Sequence, residues 1–215
     1  MASVPTGSNF YVASTIAADK TVSAVTNASE AVVSSTAHGY TSGDVVIMFS
    51  GWGRLNKRAF RIKTVLTDSF VLEGADTTNT TFYPSGTGIG TVQKISAFTQ
   101  VTTVMSPSSS GGEPKTVNYK YIESDVEYSI NDGFSSTSYT VELDADSIGT
   151  AGYTALKALT EVQTDTVLKI VMRSGAILLV PCTVALNEAV SFTDGSINKV
   201  RAQFAGNNRA VRYAS

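Results

Sequence analysis

The sequence predicts a mainly β protein: an antiparallel β-sandwich or barrel domain with one flanking α-helix, plus a small inserted β module. Apolar side chains recur every second residue in short runs separated by Gly, Asn, Asp and Ser, which is the pattern of antiparallel strands and tight turns. A single stretch has helical spacing instead. Charged residues make up 16% of the chain and hydrophobic residues 42%. These values exclude a charged disordered protein and predict a surface that costs little to desolvate.

The first half of the chain divides into an arm and a module. Residues 1–27 are rich in Thr and Ala and are expected to supply an N-terminal arm or strand of the main domain. Residues 28–95 hold enough short strands for a small barrel-like module. Five runs lie within it, at 31–35, 44–49, 59–65, 69–73 and 91–95, with turns at His38-Gly39 and Ser42-Gly43. The segment 106–114 (SPSSSGGEP) has the composition of a linker.

Residues 96–215 are expected to form the main domain. Residues 139–143 alternate as a strand does, whereas residues 150–163 carry an apolar side chain at every third position among good helix formers. We expect a helix of about three turns there that packs on a sheet. The apolar positions of this helix are Tyr153, Leu156, Leu159 and Val162.

Two strand pairs follow the helix. Runs at 168–172 and 176–184 flank Ser174-Gly175 and predict a hairpin. Pro181 predicts a bulge or an edge in its second arm. A last pair is expected at 189–193 and 197–204, joined by Asp194-Gly195.

The residues of several common functional sites are missing or unfavourably placed. With one cysteine and one histidine, the chain cannot form an internal disulfide or a Cys/His zinc cluster. Cys182 lies in an apolar run, so we discount a nucleophilic pair with His38. The glycine-rich stretch 86–90 precedes a strand rather than a helix, which favours a hairpin loop over a phosphate-binding loop. We therefore predict no catalytic residue, no cofactor site and no metal site.

The N-terminal stretch lacks the basic residues of a signal peptide, and none is expected. The longest apolar run, at 176–182, is too short for a bilayer span. Asp144 and Asp146 are spaced like paired carboxylate ligands but lack the continuation of a calcium loop, so we instead expect Asp146 or Ser147 to cap the helix that follows.

Charges are grouped into blocks, although the net charge is only −2. Residues 54–63 (RLNKRAFRIK) hold five basic residues and no acid, and residues 113–146 hold eight acids and two lysines. The segment 196–215 holds four basic residues and no acid: Lys199, Arg201, Arg209 and Arg212. Two interpretations are open, since the blocks can neutralise each other within one molecule or meet between molecules of a polymer.

A series of segments follows residue 96 in a definite order. It runs from 98–101 (FTQV) and 110–114 (SGGEP), through the polar, aromatic and acidic stretch 119–132, to the strand that ends at Leu143. It continues with 152–159 (GYTALKAL), the strand pair around Arg173-Ser174-Gly175, 184–188 (VALNE) and 212–215 (RYAS). In this order the segments resemble the tail tube proteins of bacteriophages with long, flexible, non-contractile tails. No short motif is diagnostic, so the series carries the resemblance.

The resemblance implies a structural virion protein that self-assembles into hexameric rings, which stack into a helical tube for genome delivery. It implies the tape measure protein and then DNA in the lumen, without sequence-specific binding, and other tail proteins at the tube ends. No membrane partner is implied. Assembly is expected in the host bacterial cytoplasm, and the final location is the virion tail. The run 38–46 (HGYTSGDVV) also resembles small β-barrel modules of phage tail components.

The resemblance further implies a loop that reaches the neighbouring ring or faces the lumen, by position at 119–134. A basic lumen would hold DNA phosphates, so we expect an acidic or neutral inner wall and an outward-facing 54–63 block. The tail 196–215, with the four basic residues named above, is expected at a subunit interface. The expected loop residues are Tyr119, Tyr121, Glu123, Asp125, Glu127 and Asp132.

An alternative function is a receptor- or glycan-binding β-sandwich module of a virion or cell surface. In that case Trp52, Phe60, Phe82 and Tyr83 would form a stacking platform. The other interpretation of these four side chains is that they fill the core of the module.

Overall fold

The computed structural model describes residues 6–214 and confirms the mainly β class. Within these residues the chain forms sixteen strands, one 3-10 helix (Ala145–Gly149) and one α-helix, α1 (Ala151–Val162). The strands are β1 (Asn9–Ile16), β2 (Lys20–Val22), β3 (Ala24–Val25), β4 (Val32–Ser34), β5 (Val45–Ser50), β6 (Arg58–Lys63), β7 (Ser69–Leu72), β8 (Gly90–Val101), β9 (Val104–Ser110), β10 (Pro114–Tyr119), β11 (Tyr128–Phe134), β12 (Ser138–Asp144), β13 (Thr166–Val171), β14 (Ile177–Ser191), β15 (Lys199–Gly206) and β16 (Val211–Tyr213).

Fourteen of the strands form one antiparallel sheet, which curls into a half-barrel. Its order is β3-β4-β7-β6-β5-β8-β1-β13-β14-β15-β12-β9, with β2 paired to β8 and β16 paired to β14. The first half of β8 pairs with β5 and its second half pairs with β1. One continuous strand therefore belongs both to the module and to the main domain. The remaining strands, β10 and β11, form a separate two-stranded sheet.

Two apolar cores lie against the large sheet. The first is built mostly from the module around Trp52 and Phe60, but Val167 and Leu179 of the main domain also belong to it. The second lies between α1 and the main domain and includes Leu156. Because the first core is shared, the module and the main domain bury apolar surface against each other.

The helix predicted at 150–163 is confirmed, with its caps and its packing. The Thr150 hydroxyl accepts a hydrogen bond from the Tyr153 backbone N–H at 3.3 Å and caps the first turn. A Cβ at Gly152 would lie 2.4 Å from the Gln100 carbonyl oxygen, so only glycine permits this approach to β8. Within residues 6–214 no helix has the length and apolar character needed to cross a membrane.

A carboxylate from the sheet fixes the orientation of α1. Glu188 of β14 accepts hydrogen bonds from Lys157 Nζ at 3.1 Å and from Tyr153 Oη at 3.0 Å. Both hydrogen bonds lower the pKa of Glu188, and the bond from Lys157 has the larger effect. The 184–188 segment and the helix are thus joined by direct contacts.

The last strand ties the main domain to the module. The Tyr213 hydroxyl accepts a hydrogen bond from the Arg61 backbone N–H at 2.9 Å and donates one to the Glu73 carbonyl at 3.2 Å. The Asn208 side-chain amide donates to the Asn56 carbonyl at 2.6 Å. These contacts join residues far apart in sequence and hold the module in one orientation.

Two local predictions were wrong. The segment 106–114 is not a linker, since its first half lies in β9 and pairs with β12. The strands expected separately at 176–184 and 189–193 are one strand, β14, because the 184–188 segment continues the pairing with β15. The serine-rich run hid β9, since hydrophobic alternation is absent there. The polar Asn187 and Glu188 hid the continuity of β14, where the pairing with β15 also shifts register between Asn187 and Ser191.

Pro181 occupies a local edge within β14, as the proline rule suggested. Its carbonyl accepts a hydrogen bond from the Asn207 backbone N–H at 2.9 Å, on the side where β16 pairs with 177–179 and β15 pairs from Cys182 onward. The proline nitrogen faces the gap between these two strands. Its missing N–H therefore removes no ladder hydrogen bond.

Candidate interaction surfaces

The β10–β11 hairpin is an amphipathic ribbon with an uncovered apolar face. Val117 pairs with Ile130 and Tyr119 pairs with Tyr128, so these four side chains share one face of the ribbon. Their exposed fractions run from 36% to 57%. Polar side chains occupy the opposite face. An apolar face of this kind is typical of a surface that packs on a partner.

Three tyrosines organise the outer part of this face. The Tyr119 and Tyr128 rings stack with centroids 5.4 Å apart, and Tyr121 meets them edge-on at 5.5 and 6.0 Å. Such pairs stabilise the ribbon by about 0.5–1.5 kcal/mol each. The cluster links the two strands of the hairpin on its apolar face.

Acidic side chains concentrate at the tip of the hairpin. Glu123, Asp125 and Glu127 lie between the two strands, and Asp132 lies in β11. None of the four forms an ion pair with another side chain in the described range 6–214. The structure thus brings the six predicted loop residues together on one exposed arm, which begins at Pro114.

The rest of the acidic block has structural roles. Glu142 forms an ion pair with Lys199 at 3.1 Å across the β12–β15 ladder. The Asp144 carboxylate accepts a hydrogen bond from the Asp146 backbone N–H at 3.0 Å and caps the 3-10 helix. The capping prediction for Asp146 or Ser147 is therefore wrong: Asp146 supplies the N–H that Asp144 caps, and Thr150 caps α1.

The basic block 54–63 is partly neutralised within the molecule. Lys57 pairs with Asp165 at 3.0 Å, Lys63 pairs with Glu30 at 2.8 Å, and Arg61 pairs with Glu73. The Arg61 guanidinium, through its hydrogen bonds to Glu73, lowers the pKa of that carboxyl. The intramolecular interpretation of the charge blocks accounts for these three residues. Two arginines of the block, Arg54 and Arg58, form no ion pair with any described residue.

The basic tail is spread over two places. Lys199 and Arg201 begin β15 beside Glu142, and Arg201 is exposed. Arg209 lies at the other end, where its guanidinium carbon is 4.2 Å from the centroid of the Phe134 ring at the hairpin base. Arg212, in β16, places a guanidinium nitrogen 3.5 Å from the Met172 sulfur.

The four aromatics of the alternative function do not form an exposed platform. Trp52, Phe60 and Tyr83 are buried in the module core, and the Trp52 indole N–H donates to the Pro84 carbonyl at 2.9 Å. Phe82 is exposed, but the Arg54 guanidinium carbon lies 3.3 Å above its ring. The core interpretation of these residues is therefore confirmed for three of them.

Cys182 and His38 occupy separate environments. Burial raises the pKa of the Cys182 thiol to about 12. Cys182 belongs to the second core, whereas the His38 ring packs against Tyr40 and Phe70 in the module. His38 Nδ1 accepts from the Tyr40 backbone N–H at 3.0 Å, and its Nε2 lies 3.0 Å from the Leu66 carbonyl. These contacts give the imidazole a structural role in the turn before β5.

Sequence reasoning missed one feature, a cluster of arginines that stack on phenylalanines. The chain brings Arg54, Arg58 and Arg209 to the junction of the module and the main domain. The sequence shows a surplus of basic residues in the blocks 54–63 and 196–215. Nothing in either block indicates that the two lie close together in the fold. We call these three residues the arginine cluster.

The fold and its surfaces define a β-sheet structural protein that projects an uncovered apolar hairpin. The family model described as "Phage tail tube protein, TTP" matches residues 50–215, which is well over half of the chain. The chain belongs to this family, and it is a structural protein of a phage tail tube. The match begins at the last residue of β5, inside the range 28–95.

Two solved structures are similar to this chain. One is described as the virion of a native gene transfer agent (GTA) particle, at 11% identity and a TM-score of 0.43, covering 54% of this chain and 89% of the other. The second is the tail of an empty GTA particle computed with helical refinement and C6 symmetry, at 11% identity and a TM-score of 0.43, covering 54% and 87%. No curated protein matches the chain.

Proposed function

We propose that this tail tube protein self-assembles into hexameric rings that stack into a helical tube, the conduit for genome delivery. The observation that carries the proposal is the uncovered apolar face of the β10–β11 hairpin. An isolated two-stranded hairpin is only marginally stable in water. This one gains stability when Tyr119, Tyr128 and their neighbours on the same face pack against a second copy. The ring number of six rests on the family resemblance described above.

In the proposed tube, the hairpin is the arm that reaches the next ring. Its carboxylates, which form no ion pair with other described residues, then meet that ring or face the lumen. An acidic or neutral lumen lets the tape measure protein, and afterwards DNA, pass without sequence-specific binding, because few phosphates meet a cation. Other tail proteins contact the two ends of the tube.

We place the module 28–95, as an insertion into the tube domain, on the outside of the tube. Arg54 and Arg58, the two arginines of the basic block without an ion pair to any described residue, support this placement, since unpaired cations in the lumen would hold DNA phosphates. Exposed Arg201, Arg209 and Arg212 of the tail are available for contacts between subunits. Assembly takes place in the host cytoplasm, and the tube ends in the virion.

The test is electron microscopy of the purified protein over rising concentration. Rings or long tubes are expected from the natural sequence. Replacing Tyr119 and Ile130 by Ser should abolish them, since both side chains lie on the apolar face, while circular dichroism keeps its β signal. The matched control replaces Asn118 and Asn131 by Ser on the opposite face of the ribbon and should assemble normally.

Two outcomes would contradict this function. One is a protein that stays monomeric at every concentration and is retained on immobilised glycans, as the alternative binding module would be. The other is full assembly by the variant with Tyr119 and Ile130 replaced, since the apolar face would then have no part in the tube.

A further inference from the structure

The arginine cluster contains three guanidinium groups without a carboxylate partner. Six ion pairs occur in the described part of the chain, and none of them includes Arg54, Arg58 or Arg209. The neighbouring Lys57, by contrast, is paired with Asp165. Unpaired charges placed together repel one another, so a cluster of this kind favours binding of an anionic group.

Each guanidinium of the cluster stacks on a phenylalanine ring. The guanidinium carbon lies 3.3 Å from the ring centroid for Arg54, 4.9 Å for Arg58 and 4.2 Å for Arg209. The rings belong to Phe82, Phe60 and Phe134 respectively. Stacking holds the planar group in place, and the exposed Arg54 and Arg209 present N–H edges that suit two-pronged binding of carboxylates, whereas Arg58 is half-buried and donates to the Arg54 carbonyl.

Backbone contacts bring the cluster together from distant parts of the chain. Arg58 Nη1 lies 3.4 Å from the Arg54 carbonyl oxygen, and Asn208 donates to the Asn56 carbonyl at 2.6 Å, next to Arg209. Arg58 Nε is buried without a hydrogen-bond partner. Burial, and then the charge of Arg209, lower the pKa of Arg58. A bound anion would offset this unfavourable electrostatics.

The hairpin of the same molecule starts at the cluster and leads away from it. Phe134, under Arg209, is the last residue of β11. The six-residue strand β10 spans roughly 20 Å at about 3.3 Å per residue, so the acidic tip at 123–127 lies that far from its own arginine cluster. A tip that enters the cluster must come from another molecule.

We propose that the arginine cluster is the receptor site for the acidic tip, Glu123, Asp125 and Glu127, of the hairpin of a second copy of this chain. The chemistry matches, because three preorganised guanidinium groups meet three carboxylates with no other partner among the described residues. This inference rests on the proposed function. It adds to that function the residues that receive the arm, and it makes the module part of the contact between copies.

The test is a charge swap within the full-length chain. The receptor variant carries Arg54→Glu and Arg209→Glu, and the tip variant carries Glu123→Arg and Glu127→Arg. Each alone should raise the concentration needed for tube formation about tenfold or more, since tenfold corresponds to about 1.4 kcal/mol and close charge pairs contribute at least that much. A chain with all four changes should return to within about threefold of the natural sequence. Lys20→Glu, an exposed lysine of β2, is the matched control and should have no effect.

The outcomes separate this inference from the proposed function. If the natural sequence forms no tubes, the proposed function fails. If it forms tubes and the receptor variant does so equally well, or if the four changes together do not restore assembly, the receptor site is overturned while the tube remains. Filter binding at about 0.15 M salt tests the rival occupant, nucleic acid. Retention of linear DNA that is lost in the receptor variant would also overturn the inference.

Discussion

Replacing Tyr213 by Phe should weaken the contact between the module and the main domain and lower the free energy of unfolding. The phenyl ring keeps its packing and its place under the Arg61 guanidinium, whose carbon lies 4.7 Å from the ring centroid. The hydroxyl is lost, so the Arg61 backbone N–H and the Glu73 carbonyl lose their partner at 2.9 and 3.2 Å. An unpaired donor in a half-buried position costs about 1–2 kcal/mol.

The expected loss of 1–2 kcal/mol can be measured by calorimetry on dilute, unassembled protein. For a chain of this length, a change of 1 kcal/mol in the free energy of unfolding shifts the Tm by about 2–4 °C. The Tm should therefore fall by roughly 2–8 °C, and proteolysis at the module boundary should become faster. Tyr128→Phe is the matched control, because that hydroxyl is exposed and has no hydrogen bond within residues 6–214. Equal stability of the Tyr213 variant and the natural protein, or an equal loss in the control, would refute the argument.

Three further predictions concern single side chains. Cys182 should not react with maleimide until the protein is unfolded, because burial raises its pKa to about 12; an adduct on the native protein, seen by mass spectrometry, would contradict this. Gly88→Ala should cost about 1–3 kcal/mol and shift the fluorescence of Trp52, since the new Cβ would lie 2.9 Å from the indole; unchanged melting and emission would contradict it. Arg61 lowers the pKa of Glu73, so the stability contributed by this pair is present above the unfolded value of 4.5 and is lost as the pH falls through the folded value. The Tm difference between natural protein and Glu73→Gln should therefore shrink as the pH falls below 4.5, and a difference that stays constant as the solution is made more acidic would disprove the assignment.

Local patterns in the sequence predicted the elements whose own residues show a clear periodicity or a turn motif. The alternation at 139–143 gave β12, the spacing of Tyr153 and Leu156 gave α1, and Ser174-Gly175 gave the turn between β13 and β14. Each of these patterns depends on neighbours within a few residues, and short-range periodicity records such neighbours. The outer strand β9 was missed because an edge strand can be built from serines that bury nothing.

Short-range patterns do not predict which strands pair when they are distant in the sequence. No pattern indicates that β1 pairs with β13, or that Asn208 contacts the backbone of Asn56, because each contact depends on how the whole sheet curls. The hairpin with the acidic tip differs from these pairings, because its predicted residues from Tyr119 to Asp132 lie in one contiguous stretch of the chain. Its position was predicted from the family resemblance, and the structure adds that its apolar residues share one face.

The strand β8 has a consequence for the mechanics of the proposed tube. Because this strand continues from the module into the main domain without a break, and Tyr213 bridges the two parts on another side, the subunit contains no hinge at this junction. Each copy should then behave as a stiff block. In the proposed tube, bending would then occur between the blocks. The slender two-stranded arm, held together by stacked tyrosines, is the element that could flex while it keeps neighbouring subunits connected.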